Sequence, residues 1–258
     1  MTINTVIEEL ELFAKPKKDL SAEVNAFIDE ALLADSETKR DYLGASLLGD
    51  NCPRRIQYTL DGVAYTVTGT QKRIFAMGHA LEKVIAKWLQ KAGFKLETAD
   101  KYGKPYGFEQ AQGFHLNKVQ MEGADGRIRG HVDGIIRKGP LKSKYPLLWE
   151  CKTMKASQWK ELVKQGVEIS HPHYYVQVQL YMAYLNLRAC LLTSLNKDSA
   201  ELHHEIVPFN AQVASNYSDR AVEILRATEA KELKPRIAAS RDYFECKMCR
   251  FYKTCWEG

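Results

Sequence analysis

Four residues concentrate the chemistry this chain can perform: Asp133, and the tripeptide Glu150-Cys151-Lys152. Asp133 follows an apolar stretch that alternates like a strand, and Glu150 and Lys152 lie two apart in a second, LLWECKTM. Strand periodicity puts positions i and i+2 on one face, so Glu150 and Lys152 point the same way, with Cys151 on the opposite face. A hairpin between the two strands would bring Asp133 beside Glu150. Two carboxylates with an adjacent cation form a hard-oxygen site suited to Mg²⁺ or Mn²⁺. Such an ion can polarise a phosphoryl oxygen and activate water. The plainer alternative is a solvated Glu–Lys pair at a strand edge. Against it stands the apolar frame: Leu147, Leu148 and Trp149 run straight into Glu150, and charges at the end of a buried strand need a reason.

The second chemical cluster is formed by cysteines. There are six: Cys52, Cys151, Cys190, Cys246, Cys249 and Cys255. The last three fall in CKMCRFYKTC, where a C-x2-C pair and a third thiol five residues on can reach one metal or cluster. Cys52, in the loop-like DNCPRR, is the best fourth ligand. Cys190 lies in the apolar run RACLLTSL and reads as a core thiol. Structural zinc, free thiols and disulfides remain alternatives to an iron–sulfur centre at this level, since zinc and iron–sulfur sites alike use four cysteines.

These groups need elements to hold them. A helical pattern in residues 1–45 begins near Ser21; residues 46–70 are rich in loop formers. Residues 71–92 form an amphipathic helix through Phe75, Leu81, Ile85, Trp88 and Leu89, ended by Gly93. A short strand is expected near Val119. Residues 128–136 and 147–154 make two antiparallel strands. A loop and short helix over 153–166 precede a helix over 173–187, strands over 189–196 and 201–208, and a helix over 210–232.

Composition narrows the class. The chain has 258 residues, 45% hydrophobic and 27% charged, an ordinary globular balance. Nothing approaches a membrane span, and the acidic N-terminus lacks the basic flank of a signal peptide, so a soluble, intracellular protein is expected. The net charge of +5 conceals an asymmetry: residues 1–45 carry 5 basic and 10 acidic side chains, which leaves a basic excess of 10 on residues 46–258. A polyanionic partner suits that body.

Taken in order, these features resemble the PD-(D/E)XK nuclease superfamily, with Val132 where its proline would stand. GHALE (Gly78 to Glu82) resembles the first motif of the RecB-like branch, and QVQLY resembles its Q-x3-Y motif. The cysteine order resembles the subgroup with a 4Fe–4S cluster, such as AddB nucleases and CRISPR-associated exonucleases. The resemblance covers residues 46–258 and implies an α/β fold: a restriction-endonuclease-like core with a central mixed sheet flanked by helices, closed by a cysteine-cluster tail behind an acidic helical segment, 1–45.

By that resemblance, His79, Asp133, Glu150 and the Cys151 carbonyl bind Mg²⁺ or Mn²⁺, with Glu82 in support. Lys152 positions water, and Gln177 and Tyr181 hold the scissile phosphate. Cys52, Cys246, Cys249 and Cys255 carry 4Fe–4S, with zinc as the second choice. The activity implied is a metal-dependent DNA exonuclease in end processing, recombination or repair. Arg54, Arg55 and Lys155 are candidate DNA contacts. The implied setting is the cytoplasm of a bacterial cell, with a bacteriophage source in keeping, and a recombination protein or a second copy as partner. The competing readings are an inactive nuclease-fold DNA-binding subunit and a zinc-stapled protein without nucleic acid.

Overall fold

The computed structural model describes residues 20–35, 42–109 and 128–258; the strand expected near Val119 lies outside them. The helices are α1 (Leu20–Ala34), α2 (Pro53–Leu60), α3 (Gly69–Lys91), α4 (Ala156–Ser170), α5 (Pro172–Tyr184), α6 (Ala211–Glu229), α7 (Phe244–Lys247) and α8 (Tyr252–Trp256). The strands are β1 (Leu43–Gly44), β2 (Leu96–Glu97), β3 (Gly107–Glu109), β4 (Ile128–His131), β5 (Gly134–Ile136), β6 (Leu147–Met154), β7 (Ala189–Asn196) and β8 (Leu202–Pro208). Two compact units result. One comprises Met1–Thr38 with Thr66–Met77, the other Lys39–Tyr65 with Gly78–Gly258. Within the first, the Arg73 guanidinium pairs with Asp29 of α1.

The second unit holds a five-stranded mixed sheet in the order β2-β5-β6-β7-β8, and a three-stranded sheet in the order β1-β4-β3. β6 and β7 run parallel over seven residue pairs, from Leu148↔Cys190 to Met154↔Asn196. The crossover between them contains α4 and α5, as a parallel pair requires. The α/β architecture with mixed sheets and flanking helices is the one expected.

β6 explains how the core is divided. Its residues are almost all buried, so it reads as a continuous apolar run interrupted by Glu150 and Lys152. Leu148 and Met154 pack with α5, α6 and β4 in the larger core, whereas Leu147, Trp149 and Cys151 pack with Ile85 and Leu89 of α3 in the smaller one. Alternation therefore sends Glu150 and Lys152 towards α5, and the Cys151 thiol the other way, as its spacing predicts.

Two sequence expectations are corrected. Residues 128–136 are not one strand. β4 joins the small sheet, β5 joins the large one, and the chain changes sheets at Val132–Asp133. Residues 46–70 are not all loop, because α2 occupies Pro53–Leu60. Its start was visible: proline is preorganised for the first helical position, and Cys52 is the N-cap.

The loop before α2 is tied down heavily. Arg220 of α6 donates to the carbonyls of Leu48 (3.1 Å) and Asp50 (2.6 Å). Gln57 bridges to the chain after α6, donating to the Glu232 carbonyl and accepting from the Lys234 amide. At Gly49 the loop passes so close to α5 that a Cβ would lie 2.6 Å from the His173 Cα; only glycine allows that approach.

Candidate active site and cysteine cavity

The site forms where the sheet changes partner. β5 pairs antiparallel with β6 at Gly134↔Trp149, and the next pair in that register is Asp133 with Glu150. The ladder stops there, so Asp133 is free to turn its carboxylate onto β6, where Oδ2 accepts from the Cys151 amide at 2.7 Å. The predicted hairpin thus brings the two carboxylates together, but through a strand end rather than a strand interior.

Glu150 is 1% exposed. Its Oε1 accepts from Lys152 Nζ at 2.6 Å and from Gln177 Nε2 at 2.8 Å. Its Oε2 is buried and has no partner. A buried carboxylate oxygen without a donor costs about 1–3 kcal/mol or more, and in a native protein it calls for an explanation such as an ion. Burial and the nearby Asp133 push the Glu150 carboxyl up to about 7. Burial, with Glu82 adding to it, pushes Asp133 up to about 6, although Lys152 and the Cys151 amide oppose this. Glu82 is raised in the same way, by burial and then by Glu150. Three carboxylates therefore sense one another around a single ammonium.

Lys152 is held from three sides: Glu150 Oε1, Gln177 Oε1 at 3.2 Å, and the Tyr174 ring with its centroid 4.7 Å from Nζ. Burial alone would lower its pKa, but Glu150 and Asp133 outweigh that and raise it. Lys152 is accordingly a fixed cation, not a base. On α5, Gln177 and Tyr181 sit one turn apart and share a face; Gln177 Nε2 donates to the Tyr181 hydroxyl at 3.1 Å. Gln177 of the predicted pair therefore reaches Glu150 directly, and Tyr181 joins it through Gln177. Tyr174 carries no signal in the sequence that sets it apart from the other aromatics of this helix, and its place at the ammonium emerges only from the fold.

His79 stands apart from this group. Its side chain is 79% exposed, with Nδ1 3.8 Å from Glu82. Among the described residues, no three His, Cys, Asp or Glu side chains converge as a ready metal-ligand set. The donors that are present still suit a hard ion. Mg²⁺ keeps several waters and commonly takes only one or two carboxylates, and the lone Glu150 oxygen beside Asp133 supplies them.

The four cysteines named for the cluster line one cavity. Cys52 caps α2, Cys246 lies in α7, Cys249 follows it, and Cys255 lies in α8. All are free thiols, as are Cys151 and Cys190. Tyr58, Phe251 and Trp256 form apolar walls, and Arg55 and Arg236 bring positive charge. Burial, then the other three cysteines, raise Cys246, against a hydrogen bond from Trp256. Sulfur donors of this type are those that zinc and iron–sulfur centres use, although among the described residues the four thiols do not converge as a ready ligand set.

Asp50, which the sequence reading passed over, organises this region. Its Oδ1 accepts from the Cys52 amide at 2.8 Å, and its carboxylate pairs with Arg55. Arg55 also reaches Glu245 at 3.5 Å, while Arg54 donates to the Lys234 carbonyl at 2.6 Å. Both arginines expected at DNA thus bind their own chain. Lys155 is exposed at the N-cap of α4, where β6 ends. Cys190 is fully buried, the core thiol expected.

Neither a family model nor a curated protein matches this sequence. Solved structures do. The structure titled SSO0001 shares 18% identity with a TM-score of 0.53, covering 91% of this chain and 97% of that one. An alkaline exonuclease from Laribacter hongkongensis shares 15% identity with a TM-score of 0.48, covering 78% and 93% of the two chains. Its complex with dAMP aligns at 13% and 0.48, covering 75% and 90%. The first of these shows a shared fold.

The carboxylates make a prediction about stability without metal. A folded-state pKa above the unfolded value means that the folded protein holds the proton more tightly, so its stability declines as pH rises through that interval. For Asp133 the interval runs from about 4 to about 6. Asp133→Asn keeps an acceptor for the Cys151 amide and removes the charge. In chelator, the variant should match the wild type near pH 4 and be more stable at pH 8 by roughly 1–3 kcal/mol. Urea midpoints at a series of pH values measure this; a variant weaker at pH 8 would refute the environment described for Asp133.

Proposed function

We propose that this chain is a metal-dependent nuclease of the PD-(D/E)XK kind, acting on DNA ends as an exonuclease. The observation that supports it best is the unpartnered, buried Glu150 Oε2 beside Asp133, with a protonated Lys152 fixed at the same point. That set opposes two anionic oxygens to one cation in a site largely removed from water. It has the charges needed to accept a divalent ion and a phosphodiester together.

Asp133 and Glu150 would hold Mg²⁺ or Mn²⁺, which supplies Lewis-acid polarisation of a phosphoryl oxygen and a lower pKa for water. The Cys151 carbonyl, His79 and Glu82 are the further ligand or supporting positions that the family resemblance implies. Lys152 cannot accept a proton at neutral pH. It orients the attacking water by donating to it and stabilises negative charge growing on the phosphorane oxygens. Gln177 keeps the ammonium and Glu150 in register by bonding to both, and Tyr181 fixes the Gln177 amide. Lys155, exposed where β6 ends, would meet a phosphate of the chain entering the site, and such contacts are weakened by salt.

The cysteine cavity is proposed to hold a 4Fe–4S cluster on Cys52, Cys246, Cys249 and Cys255. Held by these four residues, it would serve a structural part, since they tie the C-terminal helices α7 and α8 to the loop and helix at Cys52. Arg55 and Asp50 continue that link.

Digestion of end-labelled single- and double-stranded DNA with Mg²⁺ or Mn²⁺ tests the activity. The wild type should release nucleotides from ends. Lys152→Ala and Asp133→Ala should each lower the rate by about 10²-fold or more, the usual cost of removing a group that stabilises developing charge. Unchanged cleavage in both variants would sink the assignment, and DNA binding without any cleavage would favour an inactive binding subunit. For the cavity, anaerobically purified protein should contain iron and acid-labile sulfide with a visible absorption band. Cys249→Ser should lose all three. Stoichiometric zinc with no iron would replace the cluster assignment.

A further inference from the structure

β8 ends the five-stranded sheet, and among the described residues no strand pairs with its outer side. The direction of its backbone groups can be read from its ends. The Glu201 carbonyl accepts from the Asn196 amide, and the Phe209 amide donates to the Arg188 carbonyl. Odd-numbered residues therefore face β7, and Leu202, His204 and Ile206 turn their N–H and C=O groups outward. A strand with a row of open groups is a template for another chain. Of the usual guards, lysine is absent from the strand and the one proline, Pro208, stands at its C-terminal end, beyond the three outward-facing residues Leu202, His204 and Ile206.

The side chains of the same three residues lie on the face shared with α3. Leu202 is 38% exposed and Ile206 45%. The surface continues over Trp88, at 44%, and into an apolar hollow lined by Leu89, Phe94 and Leu191. Among the described residues, an unpaired edge and an apolar face thus meet on one strand.

We infer that β8 pairs antiparallel with β8 of a second copy of this chain, about a two-fold axis at His204, giving one continuous sheet through a dimer. The strand's own sequence selects this occupant and this register. Outward-facing residues must oppose outward-facing residues, because only such pairs exchange both hydrogen bonds. With His204 opposite its copy, Leu202 falls opposite Ile206, so the open groups of all three residues are paired. On the other face, His203 then falls opposite Glu205. Shifting by two in one direction sets Glu205 against its own copy; in the other it sets His203 against His203. The centred register alone joins apolar to apolar and base to acid, and such cross-strand pairs are the stabilising unit of a sheet. Burial and the neighbouring His203 lower the pKa of His204, which reduces the charge repulsion between the two imidazoles at the axis. Glu205 is already oriented, because its Oε2 accepts from the Val167 amide at 2.9 Å. That amide is presented by the kink at Gly166, whose φ of 74° favours glycine.

Light scattering coupled to size exclusion, over a range of micromolar concentrations, tests the inference. The full-length wild type should have twice the chain mass of 29.4 kDa, and Ile206→Lys should be monomeric. The His204→Cys variant supplies the register: its two copies would have Cα atoms about 5.5 Å apart, within disulfide reach. Mild oxidation should give a reducible covalent dimer with His204→Cys and none with Ile206→Cys or the wild type. A monomeric wild type overturns the inference. So does a dimer that survives Ile206→Lys and forms no link at His204→Cys.

Discussion

The rest of the site depends on one interaction, the buried contact of Glu150 with Lys152. Placing either charge alone in the core would cost several kcal/mol, and together they still leave one carboxylate oxygen unpartnered. Everything around them limits that penalty. Gln177 bonds both partners, Tyr174 lies under the ammonium, and Asp133 is anchored to the Cys151 amide. The two-residue spacing on β6 puts both charges towards α5, and the parallel pairing with β7 buries them. A pair built only for stability would have no reason to strand an acceptor. A cation and an anionic substrate would complete the balance.

This constraint also explains why the chain leaves one sheet and enters another at Val132–Asp133. Had β4 continued into β5, Asp133 would be an ordinary rung of the ladder. The break frees its carboxylate and delivers it opposite Glu150. The fixed supports lie further out. Arg220 ties the loop to α6, and Gly49 lets it approach α5. From the same loop, Asp50 reaches the Cys52 amide and Arg55. The cysteine cavity and the carboxylates therefore share a brace, although their chemistry differs.

Much of this could be read in the sequence because it rests on short-range periodicity. Alternation along LLWECKTM placed Glu150, Cys151 and Lys152 on their correct faces. The i, i+4 spacing placed Gln177 with Tyr181, and the spacing of the terminal cysteines brought them to one cavity with Cys52. What escaped depends on tertiary context. Nothing local in RIRGHVDGII shows that one apolar run serves two sheets. Tyr174 could not be distinguished from core aromatics, since its role exists only once β6 and α5 pack. Arg54 looked free because its acceptor, the Lys234 carbonyl, is far along the chain, and Arg55 because nothing in DNCPRR shows that its guanidinium turns back onto Asp50. The start of α2 has a local signal in Pro53, but proline marks loops as well as first helical positions, so residue type alone does not separate the two. The edge of β8 is likewise a property of topology, invisible until strand order is known.

Whether the stranded oxygen of Glu150 exists to hold a cation is open to direct measurement. Calorimetric titration of Mn²⁺ into chelator-treated wild type and Glu150→Ala decides it, with circular dichroism confirming that both are folded. The account predicts saturable binding by the wild type and its loss in the variant. Equal binding by both proteins, or none by a folded wild type, would contradict it.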